Sequence, residues 1–113
     1  MRILGFSKRW DKLNQNEFTT FRVPRKYRDW ERGEVVQIVY HPRSKDHEKL
    51  GEARIIEKTG TILSSVTNEE ATIDGFPLGK VEMWRWMCKS HNISHLNIPL
   101  NKLTLYWIKK GNR

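Results

Sequence analysis

Short runs of β-branched and aromatic residues, punctuated by charge and by Gly or Pro, recur along most of this chain. Arg2–Phe6 (RILGF) predicts a first strand. In SKRWDKLNQ, Ser7 is a candidate N-cap and Trp10 and Leu13 stand one turn apart, which predicts a short helix ended by Asn16. FTTFR, from Phe18 to Arg22, predicts a second strand, and EVVQIVYH, entered from Gly33 and left at Pro42, a third. RSKDHEKLG then reads as a charged connection. EARIIEK and TILSSV read as two further strands joined by a tight turn at Thr59 and Gly60, a hairpin.

The last third changes character. TNEEATIDGF predicts a capped short helix or turn, punctuated by Gly75 and Pro77. The longest helix is expected within residues 77–91, with Val81, Trp84, Met87 or Cys88, and His91 on one face and Glu82, Arg85, Trp86 and Lys89 on the other. KLTLYWIKK alternates Leu103, Leu105 and Trp107 against Thr104, Tyr106 and Ile108, as a closing strand does. Strands outnumber helices, and the helices are not interleaved as in a parallel βαβ array. The expected class is therefore α+β, a curved or closed, barrel-like sheet of about five or six strands with two or three helices.

Composition narrows this to one domain over residues 1–113. A chain of 113 residues with 37% hydrophobic content suits a single core, and five Trp, four Phe and three Tyr supply enough burial to oppose chain entropy. A net charge of +8 points to a polyanionic partner, nucleic acid first and an anionic membrane surface second, or else serves only solubility. Cys88 is the sole cysteine, so an intrachain disulfide and a cysteine zinc site are excluded and a reducing, cytoplasmic setting is expected. Nowhere do about 18 apolar residues run together, and the N-terminus lacks a signal-peptide core, so no membrane association is expected.

The charge is concentrated after the second strand. Arg22, Arg25, Lys26 and Arg28 follow one another with no acid before Asp29, and Tyr27 and Trp30 are interleaved with them. Thr20 and Arg22 share a face by the period of two, and Arg22 offers a planar fork to a phosphate or a base edge. Tyr27 and Trp30 either stack on unpaired bases or pack the loop onto the sheet. Trp86, beside Arg85 and Lys89, is read as packing. His91 and His95 have helical ligand spacing without a third ligand, and His41 and His47 sit in a charged loop, so neither a metal nor another cofactor is expected.

The order GFSKRWDKLNQNEFTTFR, GEVVQIVYHPRS, GEARIIEK, DGFPLGKVEMWRWM and LTLYWIKK resembles the ASCH (activating-signal-cointegrator homology) domain, a branch of the PUA-like β-barrel superfamily, over nearly the whole chain. The resemblance implies a cleft beneath a barrel, lined by a G-x-K-x-x-E-x-R pattern. In QNEFTTFR those positions fall on Gln15, Glu17, Thr20 and Arg22, and only the arginine is unchanged. A bacterial branch, the acetylcytidine amidohydrolases, also carries Thr at Thr20's position and uses a Lys, a Thr and a Glu; Asp74 falls where that glutamate lies. Glu17 places an acid where the activating lysine would be, with Lys12 as a substitute, or else is an exposed carboxylate paired with Lys12 or Arg22.

Two functions follow as expectations. The first is an RNA-binding module in which Lys12, Arg22, Arg25, Lys26, Tyr27, Arg28 and Trp30 meet nucleic acid. The alternative is a small amidohydrolase acting on a modified nucleoside, with Glu17, Thr20 and Asp74 as its catalytic set. A structural or toxin-linked interaction module is a third class.

Overall fold

The apolar runs form five strands in a computed structural model that describes residues 1–111: β1 (Arg2–Phe6), β2 (Glu17–Arg22), β3 (Val35–Tyr40), β4 (Glu48–Ile62) and β5 (Pro99–Lys110). Two helices, α1 (Asn68–Asp74) and α2 (Lys80–Ser90), lie between β4 and β5, and 3-10 turns occupy Asp11–Asn14 and Leu63–Ser65. The strand order is β1-β3-β4-β5-β2, with β1 parallel to β3 and every other pair antiparallel. The fold is thus α+β around a five-stranded mixed sheet.

The ladder leaves β1 and β2 as edges, so the sheet is not hydrogen-bonded into a closed barrel. It is curled nonetheless. Phe6, at the end of β1, meets Phe18 of β2 with ring centroids 6.3 Å apart, and the guanidinium of Arg22 lies 4.7 Å over the Phe6 ring. Side chains rather than backbone hydrogen bonds bridge the two edges.

Period-two alternation explains the inner core. Leu4 and Phe6, Val36 and Ile38, Ala53 and Ile55, and Leu103, Leu105 and Trp107 are all buried on the concave side, where removing a Leu side chain costs about 2–5 kcal/mol. A second core lies under the helices and contains Phe21, Leu63, Ala71, Phe76, Met83 and Met87. Trp10 packs against both. Helix α1 carries the capping box expected from its sequence: Glu70 N–H donates to the Thr67 hydroxyl at 3.0 Å, and Thr67 N–H donates to the Glu70 carboxylate at 3.1 Å.

Several local expectations are corrected. No hairpin turns at Thr59 and Gly60: β4 runs on through them because they pair with Lys102 and Asn101 of β5, and a long partner strand outweighs a local turn preference. The strand predicted in TILSSV stops at Ile62, where Leu63–Ser65 tightens into a 3-10 turn. The charged connection after Arg43 ends early, since Glu48–Leu50 already belong to β4. The helix expected from Ser7 is one 3-10 turn with Trp10 at its N-cap and no side-chain cap, and it buries Lys12 and Leu13. In α2 the buried pair is Met83 and Met87, four residues apart, while Val81 is exposed; Trp84 is drawn to the sheet side by its indole N–H, which donates to the Leu63 carbonyl at 2.8 Å.

The basic loop between β2 and β3 is held down by Asp29. Its carboxylate accepts from the backbone N–H groups of Arg25 (3.1 Å) and Trp30 (2.9 Å), from the Asn101 amide (2.8 and 3.0 Å) and from the Lys58 ammonium (3.2 Å). Trp30 is 3% exposed, with Arg2 and Arg25 over its ring at 4.5 and 4.7 Å, so it packs the loop onto the sheet. Among the described residues no helix is long and apolar enough to cross a membrane.

Partial burial raises the Asp29 pKa, but the hydrogen bonds from Arg25, Asn101, Trp30 and Lys58 outweigh it and hold the pKa down to about 2. A depressed folded-state pKa contributes stability above the unfolded value, near 3.9, that is lost as pH falls towards about 2. Asp29→Ala is therefore expected to cost roughly 2 kcal/mol at pH 7, and its deficit against the unmodified protein should shrink between about pH 4 and pH 2. Urea unfolding across that range checks this; a deficit independent of pH would show that the carboxylate's charge is not what fastens the loop.

Candidate functional site

A cavity of about 1010 Å³ opens where the ends of β1 and β2 part, closed on its other sides by the turn after β3, the end of α1 and the face of α2. Its polar floor is built from three elements. Lys12, from the first 3-10 turn, donates to Asp74 Oδ1 at 3.0 Å; Thr19 of β2 donates to the same oxygen at 3.1 Å; and Arg22 Nε donates to the hydroxyl oxygen of Thr20 at 3.1 Å. Asp74 ends α1, and Gly75 turns the chain immediately after it with φ of 120°. A Cβ at Gly75 would stand 2.6 Å from Cε3 of Trp10, so only glycine lets that indole close over the turn.

The wall is aromatic. Trp10 meets Phe76 and Trp86 edge-on, with centroids 5.1 and 5.4 Å apart, and the Lys12 ammonium lies 5.3 Å from the Trp10 ring. Arg25, Arg43 and His91 complete the lining beside Arg22. Among the described lining residues, Asp74 is the one carboxylate against the cations of Lys12, Arg22, Arg25 and Arg43.

Burial governs the electrostatics. It pushes the Lys12 pKa down, against the pull of the Asp74 charge, and pushes the Asp74 pKa up, against Lys12, Thr19 and Arg22. Each partner of the pair is moved towards its neutral form. Burial also lowers Arg22 to about 10; Asp74 opposes this and the Arg25 charge adds to it, so Arg22 remains a cation at neutral pH. The His91 pKa is lowered by burial and then by the Arg22 charge.

The chain matches no protein-family model, no curated protein and no solved structure. The geometry carries the functional reading. Lys12, Thr20, Arg22, Arg25 and Asp74 all line one cavity, bringing together residues from both sequence-predicted sets. Glu17 does not join them. It is exposed at the start of β2, two residues or about 7 Å from the point where Asp74 reaches Thr19, and has neither Lys12 nor Arg22 as a partner. Lys26, Tyr27 and Arg28 remain on the exposed loop outside the cavity; Tyr27 is 77% exposed with the Lys26 ammonium 5.6 Å from its ring.

Sequence reasoning missed Trp10, Phe76, Arg43 and His91 as cavity residues. Trp10 carries only a helix-period signal in sequence, and His91 reads there as a helix-face residue or an incomplete metal ligand. Among the described residues no three His, Cys, Asp or Glu side chains are grouped to hold a metal ion. Trp86 packs, as expected, and that contact is itself part of the cavity wall.

The side chains of Lys12 and Asp74 are 6% and 8% exposed, so removing one partner strands a buried charge, at about 3–5 kcal/mol. Lys12→Met and Asp74→Leu are each expected to destabilise by about that amount, and the double variant to recover most of the loss. Chemical denaturation of the four proteins measures the coupling. Additive losses would mean that the pair is not coupled in solution.

Proposed function

We propose that this chain is an RNA-binding module of the ASCH type that takes one unpaired nucleotide into the cavity and holds the neighbouring backbone with the basic loop. The observation that carries this reading is the cavity itself: an aromatic wall of Trp10 and Trp86 beside four cationic side chains and one carboxylate. Its volume, about 1010 Å³, lies at the upper end of ordinary ligand pockets and leaves room for a nucleotide and its flanking phosphates. Stacking on aromatic faces and charge-assisted bonds from arginine are how unpaired bases and phosphates are commonly held. The curl that presses Phe6 against Phe18 supports placing the sheet with the PUA-like barrels. The cytoplasm is the proposed compartment, on the strength of the single cysteine.

Arg22→Ala, Arg25→Ala and Lys26→Ala combined are expected to weaken binding to single-stranded RNA and to lower the log–log salt slope by roughly 2, about 0.7 for each lost phosphate contact. Titration of a labelled oligonucleotide at several salt concentrations reads this directly. An unchanged slope would remove these residues from the interface.

A second reading is favoured by one observation. Lys12 reaches Asp74 in the same cavity as Thr20, supplying from the 3-10 turn the lysine that Glu17 denies to β2. In an amidohydrolase the Thr20 oxygen would attack the acetyl carbonyl of acetylcytidine, the amide C–N bond would break to release cytidine, and water would free the acetate. Lys12 donates to Asp74 and not to Thr20, however, so among the described residues the hydroxyl has no base in hydrogen-bond contact, and such help is worth about 10²–10⁴-fold in rate. The expected result is therefore that acetylcytidine yields no cytidine above the uncatalysed rate. Turnover that disappears in both Thr20→Ala and Lys12→Met would replace the binding reading with the hydrolase.

A further inference from the structure

Among the described residues, several nitrogen-bearing side chains in the cavity have no anionic partner bonded to them, Arg22, Arg25 and His91 among them. Arg22 uses Nε on Thr20, but among the described residues its two terminal nitrogens have no hydrogen-bond partner, and the half-buried guanidinium is stacked 4.7 Å over Phe6. Arg25 spends its backbone N–H on Asp29, while its guanidinium lies over Trp30 and meets no carboxylate among the described residues. The His91 ring, just past the end of α2, likewise makes no hydrogen bond there. The one carboxylate of the cavity, Asp74, already accepts from Lys12 and Thr19.

Placing such groups together without a counter-charge is unfavourable. Burial is the main cause that lowers the Arg22 and His91 pKa values; at Arg22 the Arg25 charge adds to it against the larger pull of Asp74, and at His91 the Arg22 charge adds to it. A half-buried guanidinium whose fork is open can be completed by an anion that enters the cavity. The fork presents two parallel donors, and Arg25 and His91 line the same cavity from the loop after β2 and from the end of α2. That disposition suits the several oxygens of a phosphate better than the two coplanar oxygens of a carboxylate. Trp86 and His91 lie five residues apart along α2 and its cap, about 7.5 Å of helix rise, so wall and anion site are separated as base and phosphate are in a nucleotide.

We propose that Arg22, Arg25 and His91 form a phosphate subsite, so that the cavity selects a phosphorylated nucleotide over the corresponding nucleoside. This rests on the nucleotide-binding reading above and names the group that the cavity recognises. Lys12 and Asp74, on the floor beside Trp10, are left to face the base.

Calorimetric titration of the full chain with each of the four ribonucleoside 5′-monophosphates, each nucleoside, inorganic phosphate alone and a mixed-sequence single-stranded RNA tests the subsite. At least one monophosphate should bind about tenfold or more tightly than its nucleoside and than inorganic phosphate, the preference expected of one charge-assisted contact. Because Arg22→Gln alters a half-buried side chain, Arg25→Gln and His91→Gln are the decisive variants: each should pull the monophosphate-to-nucleoside affinity ratio several-fold towards one. If RNA binds while every monophosphate binds no better than its nucleoside, the subsite is wrong and the cavity reading survives. Inorganic phosphate binding as tightly as any nucleotide would assign the cations to a free anion and overturn the proposal. Failure of RNA, nucleotides and nucleosides alike to bind would overturn both.

Discussion

One buried contact organises the functional end of this fold: the Lys12 ammonium against the Asp74 carboxylate at 3.0 Å, joining residues 62 positions apart. It ties the first 3-10 turn to the end of α1, and Thr19, bonded to the same carboxylate, ties both to β2. Trp10 is carried on that turn, so the ion pair also sets the indole that touches both cores. The arrangement costs desolvation that an apolar pair of similar volume would avoid. The pair lies on the floor of the cavity rather than in the interior of either core, so in the proposed function those charges face the bound base.

The curl of the sheet supplies the second constraint. Hydrogen bonding ends at β1 and β2, yet Phe6, Phe18 and Arg22 bring the edges together, so an exposed ladder becomes a lined opening. Strand ends are where side chains from neighbouring elements converge without a continuous ladder between them. Phe6 and Arg22 are the last residues of their strands, and both line the cavity. The site therefore follows from where pairing stops.

The inner core was legible because a half-buried strand announces itself by alternation, and Leu103, Leu105 and Trp107 needed no distant information. Thr59 and Gly60 were misread because turn preference is local, whereas the β5 residues that hold them in a strand lie more than forty positions away. The Lys12–Asp74 pair was equally hidden. The resemblance directed attention to Glu17 as the departure from a lysine, while the lysine that enters the cavity comes from a turn whose path the sequence does not specify. Arg22 is marked by its place in the basic run, whereas Thr20 and Asp74 are marked only by the resemblance to the amidohydrolase branch, which also offers Lys12 as the substitute lysine. Trp10 and His91 become cavity residues only once Gly75 and the end of α2 are placed in space.

The basic loop and the cavity differ in how their charges act. Lys26 and Arg28 are exposed, so beyond roughly 8–10 Å their attraction for a polyanion is screened at physiological salt, and they act mainly on encounter. Arg22 is half-buried in the cavity, so its interaction with an anion that has entered is screened less than at the exposed loop. Arg25 connects the two regimes: its backbone is fixed by Asp29, its guanidinium lies over Trp30, and its side chain reaches the cavity lining. In the proposed function, the loop then governs the rate of capture and its salt dependence, and the cavity governs residence. Asp29 thereby acts on binding without touching the ligand, because it holds the residue through which a captured strand is passed from the loop to the cavity.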